Sequence, residues 1–224
     1  MIKFEPIATF RSPFSSKFGI PKQSGLVPDL PGKIVFLPKY RNPDALRGIE
    51  DFDFLWLIWE FSANPHGANS PVVRPPRLGG NKSVGVFASR SPFRPNPIGL
   101  SAVRLASVEW ESANGPVLHV LGADLMDGTP IYDIKPYVTY ADSHPEARSG
   151  FVDHNEWKTL EVVFPDDLRH RFTTQQIEAL TQVLRLDPRP QYQNNPQKVY
   201  GMPFEGRDVR FRVENGILYV LEIV

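Results

Sequence analysis

The sequence predicts a mainly β protein whose larger, N-terminal part is an antiparallel barrel or sandwich and whose C-terminal part is a small α+β unit. Seven short segments rich in β-branched and aromatic residues lie before residue 140, and turn residues separate them. No helical periodicity lies between these segments, which argues against the alternating strands and helices of a parallel sheet. The predicted strands cover residues 2–10, 33–37, 54–61, 84–88, 100–110, 117–121 and 129–134.

The character of the sequence changes after about residue 148. A strand is predicted over 157–164 and a helix over 173–186, where Thr173 and Gln176 have the spacing of a capping box. Two further strands are expected on either side of the Asn215-Gly216 turn. We therefore expect a first unit over residues 1–147 and a second over 148–224. One short helix is expected at 43–47, capped by Asn42.

Composition excludes several kinds of chemistry. The chain has no cysteine, so disulfides, thiolate nucleophiles and cysteine-ligated metals are ruled out. The five histidines, with His66 expected in a loop, lack metal-binding spacings such as HExxH, so no metal site is expected. GxGxxG, Walker A and GxSxG motifs are also absent, which argues against Rossmann, P-loop and α/β-hydrolase sites. No signal or membrane-spanning segment is recognisable, and a cytoplasmic location is expected.

Charge is balanced over the whole chain but not along it. The 25 basic and 25 acidic residues cancel, so no general attraction to nucleic acid is expected. Residues 61–108 contain no Asp or Glu, and this acid-free stretch is either a local anion-binding site or a segment neutralised in space by acids such as Glu109, Glu111 or Asp124. Its basic residues are Arg74, Arg77, Lys82, Arg90, Arg94 and Arg104.

Within the acid-free stretch, the loop RSPFRPNPIG (90–99) combines two arginines with three prolines. Proline fixes φ and removes an amide donor, so the loop is stiff and presents its polar groups in set directions. Arginine stays charged and offers a planar fork to carboxylate or phosphate. The loop is either an anion-binding element or a surface connection, including a PxxP ligand for a partner protein. The segment RPPRLGGN (74–81) repeats the combination of arginine, rigid turn and glycine.

The strand predicted at 54–61 holds most of an aromatic run. Its members are Phe52, Phe54, Trp56, Trp59 and Phe61. Such residues are expected to lie mostly in the core. Only the end of the run, Phe61 and Ser62, need face a ligand.

A third dense segment is DLMDGTPIYDIKPY (124–137). Residues 127–130 have the composition of a turn, and Asp133, Lys135 and Tyr137 share one face of a strand. Carboxylate, ammonium and phenol side by side can form a proton-handling cluster. The alternative is a polar solvent face with a salt bridge.

Together these motifs resemble the TsaA-like (TrmO) family. The similarity includes KFGIPKQSGLV (17–27), RPPRLGGN (74–81), GVFASRSPFRPNPIGLS (85–101) and DLMDGTPIYDIKPY (124–137). A tail signature, DPRP (187–190) with YG (200–201) and DVR (208–210), resembles the C-terminal domain of full-length bacterial members. The resemblance implies a TsaA-like antiparallel β-barrel, a homodimer, and methylation by S-adenosylmethionine of the exocyclic nitrogen of threonylcarbamoyl-adenosine beside a tRNA anticodon.

The resemblance also implies which residues hold the methyl donor. By position they are Gln23, Ser24, Gly25, Phe61, Ser62, Arg90, Leu100, Asp127, Gly128, Thr129 and Pro130. The acceptor nitrogen is a poor nucleophile, and the candidate catalytic residues are Asp133, Lys135, Tyr137 and Asn96. Contacts to tRNA are expected from Arg74, Arg77, Arg94, Arg189, Arg207 and Arg210. A non-catalytic S-adenosylmethionine- or RNA-binding barrel and a partner-binding scaffold are the alternatives.

Overall fold

A computed structural model describes residues 4–64, 70–79, 82–155, 158–190 and 195–224. Its N-terminal part is a closed six-stranded barrel in the order β1-β2-β7-β6-β3-β8, in which every neighbouring pair is antiparallel. The predicted mainly β fold is confirmed, and the choice between barrel and sandwich is settled in favour of the barrel. The strands of this part are β1 (Ala8–Arg11), β2 (Pro31–Phe36), β3 (Phe54–Glu60), β4 (Val72–Val73), β5 (Val84–Gly85), β6 (Ile98–Glu109), β7 (Val117–Leu121) and β8 (Pro130–Pro136).

Alternation along the strands fills the barrel. On β3, Leu55, Leu57 and Trp59 point inward and are buried, while Phe54 points outward and is 42% exposed. The expectation that the aromatic run lies mostly in the core is therefore wrong for its outward members, because a strand turns alternate side chains to opposite faces. The outward Trp56 packs instead against Tyr137 and donates its indole N–H to Asp142.

Outside the barrel, the predicted strand at 84–88 is only partly correct. β5 ends at Gly85 after pairing with β4, and Val86–Ala88 forms a 3₁₀ turn. The backbone N–H and the hydroxyl of Ser89 both donate to the carbonyl of Val86, which closes this turn and ends the strand. The helix expected at 43–47 is likewise a 3₁₀ turn, Pro43–Leu46, with Asn42 as its cap. Further 3₁₀ turns are Pro38–Tyr40, Ile49–Asp51, Pro76–Leu78 and Gly150–Val152.

The C-terminal part packs one helix against a four-stranded sheet of order β10-β11-β12-β9. The predicted capping box is present, since the Thr173 hydroxyl accepts from the Gln176 N–H and the Gln176 side chain accepts from the Thr173 N–H. The expected strand at 157–164 is shorter, and Trp157 lies outside the described residues, as do Ile2, Lys3 and His66. The elements are α1 (Thr139–Asp142), β9 (Glu161–Val163), α2 (Asp166–Arg169), α3 (Thr174–Arg185), β10 (Tyr200–Phe204), β11 (Arg207–Glu214) and β12 (Ile217–Ile223). In the described ranges the longest helix has 12 residues, and none is long and apolar enough to cross a bilayer.

The connection between β1 and β2, residues 12–30, links the two parts of the molecule. Phe14, Val27 and Leu30 are buried in the core of the C-terminal sheet rather than in the barrel. The Phe14 and Phe204 rings meet edge to face at 5.5 Å, and the Glu205 N–H donates to the carbonyl of Pro13 at 2.9 Å. The C-terminal sheet is therefore fixed against a connection that leaves the barrel at the end of β1.

Antiparallel order places three long connections at one end of the barrel. This end, called the loop end below, is formed by the last residues of β1, β3 and β7 and the first residues of β2, β6 and β8. Its connections are residues 12–30, 61–97 and 122–129. The opposite, far end is formed by residues such as Phe54 and Pro136.

Candidate functional site

The three connections of the loop end meet at a hydrogen-bonded cluster around Asp124. Inside the barrel, the Trp59 indole N–H donates to the Ser101 hydroxyl at 3.0 Å, and that hydroxyl donates to Asp124 Oδ1 at 2.5 Å. The Ser24 backbone N–H also donates to the Asp124 carboxylate, and the Arg90 guanidinium is close enough to influence its ionisation. These five residues, called the Asp124 cluster below, join two strands and all three connections.

Asp124 is partly buried. Burial raises the pKa of its carboxyl group, and the hydrogen bond from Ser101, the backbone bonds and the charge of Arg90 oppose that rise. A carboxylate in such a place is retained only when donors and a cation surround it. The cluster therefore holds Arg90 and the Ser24 backbone in fixed positions relative to the barrel.

Two further contacts hold the 12–30 connection over the same place. The Arg90 guanidinium donates to the Gln23 side-chain oxygen at 2.5 Å, and the Gly25 N–H donates to the Gly122 carbonyl at 2.8 Å. Gln23 is thus tied to the 61–97 connection, whereas Ser24 and Gly25 are both tied to the 122–129 connection. The fold therefore places residues 23–25 next to Arg90 and the 122–129 connection, although they are far from both in sequence.

The turn at residues 127–130 is held by its own neighbours. Asp127 accepts from the Ser12 N–H at 3.1 Å and pairs with Arg11 at 3.5 Å, while the Gly128 N–H donates to the Phe10 carbonyl at 2.9 Å. The Thr129 hydroxyl donates to the Met126 carbonyl at 2.7 Å. Gly128 has φ +79°, which favours glycine. This turn closes the loop end beside β1 and has few donors left for a ligand.

Comparison with known proteins shows which family the chain belongs to. A family model described as the tRNA-methyltransferase O N-terminal domain matches residues 9–143, and one described as the TrmO C-terminal domain matches residues 158–224. The chain belongs to the TrmO family. Its two matched regions correspond to the barrel and to the part that carries the C-terminal sheet.

Relatives of the TrmO family match along nearly the whole chain. The Escherichia coli tRNA (adenine(37)-N6)-methyltransferase is 39% identical over 219 residues, covering 94% of this chain and 93% of the relative. A Pseudomonas aeruginosa protein named as an S-adenosylmethionine-dependent methyltransferase is 40% identical over 213 residues, covering 92% and 90%. A crystal structure of TrmO from Pseudomonas aeruginosa superposes with a TM-score of 0.80 at 32% identity, covering 100% of this chain and 99% of that one.

The remaining residues expected to hold the methyl donor also lie at the loop end. Phe61 follows β3 and meets Trp59 edge to face at 4.4 Å, and Ser62 is exposed beside it. Leu100 lies on the outer face of β6 and is 58% exposed, whereas its neighbours Gly99 and Ser101 point into the barrel. Leu100 therefore does not share the interior position of the Asp124 cluster.

Sequence reasoning missed three members of the cluster: Trp59, Ser101 and Asp124. The charge pattern indicates Asp124 only as an acid that could neutralise arginines, and Arg90 is the cation beside it. Arg104 forms an ion pair with Asp29 at 3.6 Å, whereas Glu109 contacts His119 and not an arginine of the acid-free stretch. The available signal was an inward-facing serine on β6, diagonally across from Trp59 on β3, because a buried hydroxyl needs partners.

Gly99 gives a direct test of the packing beneath the cluster. A Cβ at this position would lie 2.2 Å from Trp59 Cε2, so Gly99→Ala must displace the indole that donates to Ser101. We expect the free energy of unfolding in urea to fall by about 1 to 3 kcal/mol. Gly85→Ala is the matched control, since no atom lies within 4 Å of its added Cβ. Equal stability of the two variants would contradict this packing.

The four candidate catalytic residues do not come together within one chain. Asn96 is exposed at the loop end, whereas Asp133 and Lys135 form an ion pair of 2.9 Å on the outer wall of the barrel. The N–H of Tyr137 donates to the carbonyl of Phe54 at the far end. Tyr137 follows Pro130 by seven residues, which places the two about 23 Å apart at the rise per residue of a β-strand. The ion pair matches the polar-surface alternative. The assignment of a catalytic base stays a prediction.

The arginines expected to contact tRNA differ in their exposure and in whether other residues of the chain already bind their guanidinium groups. Arg74 is exposed, Arg94 donates to the Ser89 carbonyl at 3.2 Å, and the Nε of Arg77 is buried with no hydrogen-bond partner among the described residues. In the C-terminal part, Arg189 makes two bonds of 2.8 Å to Asp187 and is largely buried.

The last two of these arginines lie on the C-terminal sheet. Arg210 is paired with both Asp208 and Glu222. Arg207 is exposed on the hairpin that contacts Pro13 and has no ion pair within the described ranges. Of the three C-terminal arginines, Arg207 therefore offers its charge most freely.

Proposed function

We propose that this chain transfers a methyl group from S-adenosylmethionine to the exocyclic N6 of adenine 37 in tRNA. The single observation that supports this most is the convergence of Ser24 and Arg90 on the partly buried carboxylate of Asp124, with Gln23 bonded to Arg90. The relative that matches over 94% of this chain is named for that reaction. The threonylcarbamoyl form of the adenosine is the acceptor that the family resemblance implies.

The residues of the loop end fit the methyl donor by their chemistry. Arg90 offers a guanidinium for a carboxylate, and Asp124 offers negative charge for a cationic group. The ring of Phe61 offers an apolar surface with a negative face, which attracts cations. S-Adenosylmethionine supplies an electrophilic methyl group on a sulfonium.

The reaction exchanges one bond for another. The S–CH₃ bond breaks, an N–CH₃ bond forms, and the acceptor nitrogen gives up one proton, leaving S-adenosylhomocysteine. The chain's own contribution is to hold the partners in place and to exclude water from the loop end. Asn96 is the one candidate catalytic residue at that end, and we assign it the role of orienting the acceptor nitrogen.

The proposal assigns different roles to the N-terminal and C-terminal parts of the chain. Residues 1–147 would bind the donor, and residues 148–224 would contact the anticodon arm through Arg207, since their sheet is anchored at the loop end. A homodimer, which the family resemblance implies, and a cytoplasmic location, which is the expectation from the sequence, complete the proposal. Sedimentation velocity tests the dimer, which requires twice the chain mass of 25.3 kDa.

Mass spectrometry of tRNA nucleosides tests the proposed reaction. The purified chain is incubated with S-adenosylmethionine and tRNA that carries threonylcarbamoyl-adenosine, and the tRNA is then digested to nucleosides. We expect that nucleoside to gain the mass of one methyl group, and S-adenosylhomocysteine to appear in equal amount. Saturable donor binding with an unchanged nucleoside would instead favour a non-catalytic binding module.

A further inference from the structure

Two aromatic side chains of the loop end stand in solvent on either side of Arg90 in the sequence. Phe87 is 81% exposed and Phe93 is 53% exposed. Single exposed apolar residues are common on protein surfaces and need no explanation. Two exposed phenylalanines within seven residues of one connection, on either side of Arg90, are a different case because a single short segment presents both rings.

The backbone beneath these rings is fixed. Val86 is buried and anchors the 3₁₀ turn that carries Phe87. The Ser91 N–H donates to the Ser89 hydroxyl at 3.3 Å, and the Phe93 N–H donates to the Ser91 hydroxyl at 3.2 Å. Pro92, Pro95 and Pro97 fix φ between and beyond them. The rings are therefore presented at little further cost in backbone entropy, which is what a binding surface requires.

The chemistry around the rings selects the kind of partner. The described part of the acid-free stretch presents Arg74, Lys82, Arg90 and Arg94 as well as the two rings. Single-stranded nucleic acid is bound by this combination, in which cations meet phosphates and aromatic rings stack on bases. An enzyme that acts on a base must also take it out of the stack, so its neighbours lose a stacking partner.

We propose that Phe87 and Phe93 stack on unpaired bases of the RNA beside the adenine that is methylated. The proposal rests on the proposed function for the identity of the RNA, a tRNA anticodon loop. It assigns the two rings to substrate binding and leaves donor binding to Arg90 and the Asp124 cluster. The rings replace part of the stacking that the loop loses when the target base turns toward the barrel.

Fluorescence of a modified hairpin tests this assignment. The probe is an anticodon stem-loop RNA that carries 2-aminopurine next to the target adenine, because stacking quenches this base. Phe87→Leu and Phe93→Leu keep apolar bulk but remove the ring. We expect each to weaken hairpin binding on the order of ten-fold and to lose quenching in the saturated complex. Phe87→Trp and Phe93→Trp should retain both.

Three controls separate stacking from other roles. The leucine variants should bind S-adenosylmethionine within two-fold of the unaltered chain, as measured by calorimetry. They should leave the salt dependence of hairpin binding unchanged, because no phosphate contact is lost, whereas Arg94→Ala should reduce its slope. Tyr140→Ala removes a ring at the far end that is 92% exposed, and it should change neither hairpin binding nor quenching.

Several outcomes would overturn the assignment. It fails if the unaltered chain does not bind the hairpin, or if the leucine variants bind and quench as the unaltered chain does. It also fails if these variants change the sedimenting mass, since the rings would then lie between copies of the chain. Ring-dependent quenching without methyl transfer would support the stacking surface and overturn only the proposed reaction.

Discussion

Arg90→Ala is expected to weaken S-adenosylmethionine binding by roughly 10- to 150-fold, which corresponds to about 1.5 to 3 kcal/mol for a charged hydrogen bond. The substitution removes the guanidinium that bonds Gln23 and would pair with the donor's carboxylate. It also removes the positive charge that opposes the raised pKa of Asp124, so that pKa should rise further. Titration calorimetry measures the affinity.

Arg104→Ala provides the matched control for Arg90. Arg104 belongs to the same acid-free stretch but pairs with Asp29 on the outer wall of the barrel, with both side chains about half exposed. Exposed ion pairs contribute little to stability, so this variant should keep both its fold and its donor affinity. Equal loss of donor affinity in the two variants would mean that Arg90 acts only through general surface charge. Arg90→Lys should not restore the affinity, since an ammonium lacks the planar fork.

Asp124→Ala is expected to lower the free energy of unfolding by about 2 to 4 kcal/mol. The hydroxyl of Ser101 and the N–H of Ser24 would lose their acceptor, and Arg90 would lose its nearby carboxylate. For a chain of this size such a loss lowers the melting temperature by roughly 4 to 16 °C. Thermal unfolding followed by circular dichroism measures it.

Asp124→Asn separates the charge from the hydrogen bonds. The amide oxygen still accepts from Ser101, so we expect stability within about 1.5 kcal/mol of the unaltered chain. The charge facing Arg90 is lost, and donor affinity should therefore fall while the fold is retained. Asp29→Asn is the control for loss of a carboxylate outside the cluster. Unchanged donor affinity in Asp124→Asn would show that the cluster supports only the fold.

Local signals were strong enough to predict most of the elements. β7 covers the predicted 117–121, and the cap of α3 follows from Thr173 and Gln176 alone, because both features depend on residues close in sequence. The segment at 84–88 was predicted as one strand because β propensity says nothing about the Ser89 hydroxyl that turns the chain.

The site was harder to predict because its contacts are long-range. Asp124 meets Ser101 and Ser24 only after the barrel closes, and residues 12–30 bury Phe14 and Leu30 in a core formed by the other end of the chain. No periodicity marks such a segment. The family motifs predict the donor-site residues by position only. They did not reveal that Tyr137 lies at the far end, because residues that are close in a sequence motif can lie at opposite ends of a strand.

Hydrogen exchange with and without S-adenosylmethionine tests most directly whether the loop end holds the methyl donor. Saturating donor should slow amide exchange in peptides covering residues 20–30, 86–101 and 122–130, because these connections carry the Asp124 cluster and the residues tied to it. Peptides covering 50–57 and 133–142 at the far end should exchange at unchanged rates. Protection confined to the far end or to the C-terminal sheet, with no change at the loop end, would contradict the account.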